Sequence, residues 1–449
     1  MEDKTSINVI VRDKFTKQSE SLFRLEEPLV LSFHGKGKNL HNALEEIEQS
    51  IGSKLDPIIL DLYNIALVVY VWDITTDRSG TTPRDFRCLI SVSNADKWNL
   101  VKPLLEGTLR FLTGDTFAFN FVQGHKPSGD FVFKKDKDEQ KSVVLFSGGL
   151  DSLAGFKWDV DNKIASVLVS HPGAGIISKA QRKLVKALEK IVHTKLEWNQ
   201  IRATAQQGKE LQGTVPTQFS RSFLYLTLGA IFALKLGIAK LQIYENGVLA
   251  HNIPLTQARI YSSTRTVHPQ FLKSYQEILD ELYRNCITVS NPFVDRTKGE
   301  VVALLNADGY REQAKTTISC SEVQALWRRG VKTRKVRHCG ICFPCIVRRV
   351  AMNYAGLYEQ DARYADDIEL AYPKIPNEGK KLLFEMADFA RQIDKCANVD
   401  DALIEFPQFY IEGVDPAMLF DMAKRQVAQF KDFLRQRAHQ TLRQNLGLP

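Results

Sequence analysis

Residues 141 to 156 read KSVVLFSGGLDSLAGF. A short apolar run with strand character passes directly into Ser-Gly-Gly-Leu-Asp-Ser, and a helical pattern follows. At the end of a buried strand of a doubly wound sheet, the next helix presents free N–H groups and the positive end of its macrodipole, a setting that favours phosphate. Gly148 and Gly149 let the backbone bend around phosphate oxygens where a Cβ would obstruct it. Ser147 and Ser152 supply hydroxyl donors. A carboxylate at Asp151 is repelled by a polyphosphate unless Mg²⁺ bridges them or the side chain faces away as a helix-start residue. The competing reading is a tight strand-to-helix turn with no ligand. No GxxxxGK[ST] occurs in the chain, which excludes a Walker-type nucleotide site.

Outward from this stretch, strand-like SVVLF, ASVLVS, LQIYE and CITVS alternate with helical patterns such as SKAQRKLVKALEKIV, where Leu184, Leu188 and Ile191 recur at helical spacing. That alternation predicts a parallel sheet covered by helices over 139–356. Residues 1–138 carry short β-rich runs (INVIVRD, ALVVYVWDI, FRCLISVS) and a helical KWNLVKPLLEGTLRFL, so an α+β domain is expected there. It should end in the charged KKDKDEQK, read as a solvated linker. Residues 357–449 read as a helical region. The fold class is therefore α/β: a doubly wound parallel sheet flanked by an N-terminal α+β domain and a C-terminal helical region.

A chain of 449 residues with 44% hydrophobic and 25% charged residues can bury a large core. Its start has no basic segment followed by an apolar one, and the apolar run Phe223 to Leu234 is too short to span a bilayer, so neither secretion nor a membrane is expected. Lysine and arginine stand against acids at 18 to 21 over residues 1–140, 30 to 15 over 141–350 and 12 to 16 over 351–449. The basic excess thus sits in the middle, as suits phosphate-bearing ligands or an acidic partner, or simply a solvated lysine-rich surface.

Four of the seven cysteines, Cys320, Cys339, Cys342 and Cys345, form a C-x18-C-x2-C-x2-C pattern. Cys-x2-Cys steps bring thiolates to one tetrahedral ion, so a closed zinc site is expected; buried free thiols are the plain alternative, and an iron–sulfur cluster is a further one. Together with the uneven pairing, this indicates a reducing cytoplasm. His338 is read as a bystander. Arg328, Arg329, Lys332, Arg334, Lys335 and Arg337 lie between the first and second ligands and form a basic loop.

SGGLDS resembles the signature of the PP-loop (HUP-like) ATP pyrophosphatases, and with the four cysteines the chain resembles the 7-cyano-7-deazaguanine synthase (QueC) family. The resemblance implies an ATP site at Ser147, Gly148, Gly149, Leu150, Asp151 and Ser152, with Ser147, Asp151 and Ser152 catalytic, and zinc on the four cysteines. NPFVDRTKGEVV resembles the family's strand exit and helix start, which makes Lys298 a phosphate contact, unless it is merely a first-turn residue. VPTQFSRSFLYLTLGAIFA resembles the Val-Pro segment leading through an arginine, which suggests Arg221 for the same pocket, against a plain helix-start arginine.

Where the synthase has a Tyr-Pro-Asp-Cys-Arg run, this chain has YENGVLAHNIPLTQARIYSSTRTVHP. That stretch resembles longer QueC-like proteins of bacterial anti-phage defence systems, in particular the QatC proteins of the Qat system. It nominates Glu245, Asn246, Arg265 and His268 for holding substrate, although Asn246-Gly247 also suits a turn and His268-Pro269 a helix start. The implied reaction is adenylation of a 7-deazaguanine carboxylate with ATP and Mg²⁺, followed by amide or nitrile formation. The implied partners are that small molecule and a protein of the same defence operon whose amine accepts it. Two alternatives are a tRNA- or DNA-modifying PP-loop enzyme that binds nucleic acid, and a non-catalytic nucleotide-binding subunit of a defence complex.

Overall fold

The computed structural model describes residues 6–13, 15–19, 28–34, 38–78, 82–124, 132–172, 175–205, 219–257, 264–322, 326 and 336–448. The N-terminal layer comprises β1 (Ser6–Val11), β2 (Leu29–Leu31), α1 (Pro57–Thr75), β3 (Asp85–Val92), α2 (Ala95–Thr113) and β4 (Thr116–Gln123). Its sheet runs β2-β1-β3-β4 and every pairing is parallel. This is an α/β layer and corrects the expected α+β domain. The reason lies in α1: the run ALVVYVWDI, rich in β-branched residues, is helical and buried on all sides, so it carries no 3.6-residue period and mimics a strand. Among the described residues, α1 is also the one helix apolar and long enough to cross a membrane, and most of it is buried inside the protein.

The second sheet contains β5 (Lys141–Leu145), β6 (Ala165–Ser170), β7 (Trp198–Gln200), β8 (Lys240–Ile243) and β9 (Thr288–Ser290), in the order β9-β8-β5-β6-β7. All its pairings are parallel, as the alternating pattern predicts. The chain order reverses between β5 and β8, and in such sheets a crevice opens beyond the strand ends at that point. The helices are α3 (Leu150–Asp161), α4 (Gly175–Ile191), α5 (Arg221–Leu236), α6 (Gly247–Ala250), α7 (Pro269–Tyr283) and α8 (Lys298–Ala303). After them comes α9 (Phe343–Tyr354), and then α10 (Asn377–Lys395), α11 (Val399–Glu405), α12 (Pro416–Arg437) and α13 (Gln440–Leu446), which make residues 357–449 mainly helical, as expected from the sequence.

No gap in packing marks the end of the N-terminal layer. One apolar core joins Val9, Leu67, Trp72 and Phe119 of that layer to Phe223 and Ile231 of α5, Tyr275 of α7 and Val143 of β5. A second core lies on the other face of β5 around Val144, Leu153, Leu184 and Met352, and a third gathers the C-terminal helices around the cysteine cluster. The charged linker is held rather than free, because the Asp136 N–H donates to the Gly237 carbonyl at 2.8 Å.

The first core encloses a charge network. Asp73 and Asp115 are fully buried, and Arg84 donates to Asp73 at 2.6 Å and to Asp115 at 2.8 Å, while its guanidinium lies over the Trp72 ring. The other oxygen of Asp73 accepts from both the N–H and the hydroxyl of Ser220, each at 2.9 Å, immediately before α5 begins. This fixes the N-terminal layer to the second sheet's helix. Removing one partner leaves a buried charge and two donors unsatisfied. Asp73→Ala should therefore lower the unfolding free energy by roughly 3 kcal/mol or more, read from urea denaturation; a change below about 0.5 kcal/mol, as at a surface site, would rule the network out as a stabilising contact.

Candidate active site and metal centre

The Ser-Gly-Gly-Leu-Asp-Ser loop leaves β5 and becomes the start of α3, with Gly149 as its N-cap residue. Gly148 has φ +81°, and a Cβ there would lie 2.9 Å from Cγ of Gln181, so both backbone and space require glycine. Gln181 of α4 donates to the Ser147 carbonyl at 3.0 Å and braces the loop from behind. The loop's donors are folded onto its own hydroxyls. The Gly148 N–H donates to Ser152 Oγ at 3.1 Å, the Gly149 N–H to Ser147 Oγ at 3.3 Å, and Ser147 Oγ to Ser152 Oγ at 3.2 Å. These weak, local bonds can be exchanged for bonds to an anion at little cost.

A cavity of about 320 Å³ opens over the loop. Ser147, Gly149, Leu150 and Asp151 line one side, Glu245 and Lys298 another, and Phe343, Pro344 and Val347 of α9 a third. The Lys298 ammonium is buried, pairs with the Asp151 carboxylate and lies 3.9 Å from Glu245. Burial alone would lower the pKa of this amine; the Asp151 and Glu245 charges outweigh burial and the net shift is upward. Asp151 Oδ1 is buried without a partner among the described residues. Tyr244 lies against Gly155 of α3, where a Cβ would stand 2.1 Å from the ring, and its hydroxyl donates to Asp159. Burial raises the Asp159 carboxyl to about 6, against the opposing hydrogen bonds from Tyr244 and Ser166.

Glu245 is positioned by its neighbours. Asn291 holds its backbone, accepting from the N–H at 3.2 Å and donating to the carbonyl at 2.8 Å, and Asn246 Nδ2 donates to its carboxylate at 2.8 Å. Asn246 itself is fully buried and caps α6 through Leu249 N–H at 3.2 Å, so it orients Glu245 rather than lining the cavity. Ser152 and Gly148, although part of the loop, do not line the cavity. Arg221, Arg265 and His268 do not line the cavity. Arg221 bonds to the Tyr225 hydroxyl and lies over that ring, beside the end of β6. Arg265 donates to the Phe111 carbonyl at 2.6 Å and covers the Phe111 ring, on the N-terminal layer. His268 caps α7 by accepting from the Gln270 N–H at 3.2 Å and also packs on Phe111, with burial pushing its imidazole down to about 4. The Val215–Pro216 step and the basic residues 328, 329, 332, 334 and 335 lie outside the described residues.

The C-terminal region reaches back to this site, which the sequence did not announce. Lys298 follows Thr297, the N-cap of α8, where Thr297 and Glu300 form a reciprocal capping box. Gln429 of α12 donates to Thr297 Oγ1 at 2.7 Å, and Arg425 of α12 pairs with Glu300 and donates to the Asp295 carbonyl at 3.0 Å. Gly299 makes room for this contact, since a Cβ there would lie 2.4 Å from Gln429 Oε1. A cue existed only in the sequence T-K-G-E; its partner lies more than a hundred residues later.

The four cysteine sulfurs lie within 4.8 Å of one another, with Cys320 to Cys342 at 4.0 Å and Cys339 to Cys345 at 3.8 Å. Zinc–sulfur bonds of about 2.3 Å in a tetrahedron place sulfurs about 3.8 Å apart, so the donor set fits zinc. The N–H groups of Cys339 and Cys342 each donate to a cluster sulfur at 3.3 Å, as thiolates require. His338 is buried, accepts from the Ser319 N–H at 3.2 Å and is not among the four converging ligands. Cys342 is the N-cap of α9, so the metal site fixes the helix whose first turn lines the cavity. Arg348 of α9 completes the tie, pairing with Asp361 at 2.6 Å and donating to Thr317 and Ser319 beside the cavity.

Two outcomes follow from these contacts. Cys342→Ser should release the zinc and lower thermal stability together, as elemental analysis and a melting curve will show; an iron–sulfur absorbance band in the native protein would replace zinc by a cluster. Paired substitution Arg425→Ala and Gln429→Ala should loosen Lys298 and raise the KM for ATP about tenfold with zinc content intact, while Arg425→Lys should recover part of the loss. An unchanged KM would show that α12 does not position the lysine.

No curated protein matches the chain. The family model described as "Queuosine biosynthesis protein QueC" matches residues 141–356, from the first residue of β5 to just past α9. That match supports an ATP-utilising PP-loop enzyme of ligase type, with the cavity, its glycine loop and the cysteine cluster all inside the matched span. Residues 141–356 of this chain are thus a QueC-like domain.

Proposed function

We propose that this protein uses ATP to adenylate the carboxylate of a 7-deazaguanine base, of the 7-carboxy-7-deazaguanine kind, and passes the activated acyl group to an amine. The observation that carries this reading is the shared cavity: the glycine loop at a helix start, a buried lysine and a backbone-clamped glutamate face one space. A carboxylate is a poor acyl donor because it is anionic and lacks a leaving group. One of its oxygens attacks the α-phosphorus, the bond from that phosphorus to the bridging oxygen breaks, and pyrophosphate leaves. The amine then adds to the acyl carbon, AMP departs, and the amine's proton goes to solvent.

The loop N–H groups and Lys298 receive the phosphates by exchanging their internal partners for phosphate oxygens. The unpartnered Oδ1 of Asp151 fits a hard divalent cation such as Mg²⁺, whose part is to neutralise the phosphate charge. Glu245 faces the same space and suits the N–H-rich edge of a guanine-like base, since an ionised carboxylate only accepts hydrogen bonds. Apolar Val347, Phe343 and Ile318 suit its flat faces.

The finer reading places the enzyme in an anti-phage operon of the Qat kind, in the cytoplasm, with an amine of a partner protein as acceptor. Its support is the Glu-Asn-Gly and Thr-Arg-Thr-x-His-Pro resemblance and the extent of chain on both sides of the QueC-like domain.

Incubation with ATP, Mg²⁺ and 7-carboxy-7-deazaguanine should yield AMP and pyrophosphate, and heavy oxygen placed in the carboxylate should appear in AMP. Ser147→Ala, Gly149→Val and Asp151→Ala should each cost at least about a hundredfold in rate with the fold retained. ADP and phosphate as sole products would refute the assignment. Intact-mass measurement of candidate partner proteins decides the acceptor: a gain of one deazaguanine amide supports protein conjugation, and free amide or nitrile from ammonium alone removes it.

A further inference from the structure

The basic excess of the middle region is not absorbed by the ATP cavity. Five of the region's 30 basic residues, against one acid, lie on α4 (Gly175–Ile191), whose buried face carries Leu184, Leu188 and the loop-bracing Gln181. Its outward face shows Lys179, Arg182, Lys183, Lys186 and Lys190, all exposed, and Lys195 follows just beyond the helix. Glu189 is the one acid on the helix; it is half-buried and accepts from the Leu196 N–H at 3.3 Å. Lys179, Lys183, Lys186, Lys190 and Lys195 form no ion pair with any described residue. Lys186, Lys190, His193 and Lys195, with Glu189 and Thr194 among them, line a shallow depression of about 480 Å³ at the end of the helix.

This arrangement carries a cost. Lys179 with Lys183, Arg182 with Lys186 and Lys186 with Lys190 are like charges one turn apart, and each such pair disfavours the helix by about 0.2–0.5 kcal/mol. A surface helix usually interleaves acids to avoid this, as the Lys157–Asp161 pair does on the neighbouring α3. The side chains point to what would offset the repulsion. Among the described residues, none of the large exposed apolar side chains lies on α4. Protein interfaces need buried aromatic or aliphatic anchors and are depleted in lysine, so this face is poorly made for a protein. It is equally poor for single strands, which stack their bases on aromatic rings. A phosphodiester backbone needs neither; it needs cations in a row. Lys179 to Lys190 spans about 16 Å of helix at 1.5 Å per residue, which covers roughly five steps along a duplex at 3.4 Å per step.

We propose that the exposed face of α4 is a docking surface for the phosphate backbone of double-stranded nucleic acid, read without regard to base sequence. The surface is separate from the ATP cavity but shares a helix with it: Gln181, between Lys179 and Arg182, holds the Ser147 carbonyl of the glycine loop. A bound duplex therefore lies against the same helix that braces the catalytic loop. The proposal does not depend on the deazaguanine reading.

The test uses the full chain and fluorescence anisotropy with labelled DNA and RNA duplexes of about 20 base pairs and mixed sequence, a matching single strand, and a polyglutamate peptide of similar charge. Duplex should bind with log K falling linearly against log salt, with a slope of about −4 for four to five contacts, and should bind equally well whatever its sequence. Lys186→Ala should reduce the slope by about 1. The quadruple variant K179E/K183E/K186E/K190E should lose binding at least about a hundredfold, while zinc content, melting temperature and nucleic-acid-free ATP cleavage stay at the native level. The DNA and RNA arms distinguish which duplex is preferred. No duplex binding at low salt, tighter binding of the peptide or single strand, or unchanged binding by the quadruple variant would each overturn the proposal.

Discussion

The site is organised around one buried ammonium. Lys298 pairs with Asp151 of the glycine loop and lies close to Glu245, so three segments far apart in the chain meet on a single positive charge. A buried ammonium is costly without partners, and the Asp151 and Glu245 carboxylates supply them. The upward net shift of the lysine, despite its burial, expresses that dependence. Everything else in the site can be traced to what holds these groups in place: Asn246 and Asn291 around Glu245, Gln181 behind the loop, and Gln429 with Arg425 against the start of α8.

Much of that support comes from outside the QueC-like domain. The helix α12 reaches the cap of α8, and Met422 of α12 fits against Gly247, where a Cβ would stand 2.6 Å from its sulfur. On the opposite side, Asp73 of the N-terminal layer binds the residue before α5, and Arg265 and His268 are anchored on Phe111. The flanking regions are thus part of the machine's frame. The cysteine cluster acts in the same sense, because it fixes the first turn of α9 beside the cavity and leaves Arg348 to fasten the segment around Ser319. A metal held by these four sulfurs would transmit rigidity to the cavity through one helix.

Legibility in the sequence followed the range of the forces involved. The parallel sheet over residues 141–290, the glycine loop at its switch point and the convergence of Cys320, Cys339, Cys342 and Cys345 were readable because each rests on local pattern: a period, a conformational need for glycine, or a ligand spacing. The same locality explains the misreading of α1, since a helix buried on every side gives no amphipathic signal. Asn246 and His268 show the ambiguity of short polar motifs. Both sit where a cap is needed, and both cap.

The sequence by itself determined the parallel α/β character of the central region, the need for glycine in its loop and the convergence of its four cysteines. Tertiary structure alone decided which charges share the cavity and which candidates stand apart. It brought Lys298 to Asp151 and Gln429 to Thr297, and it sent Arg221 to Tyr225 and Arg265 to Phe111. The physical reason is that a side chain's partner across a hundred residues is chosen by packing and desolvation, and neither is encoded in any window of neighbouring residues.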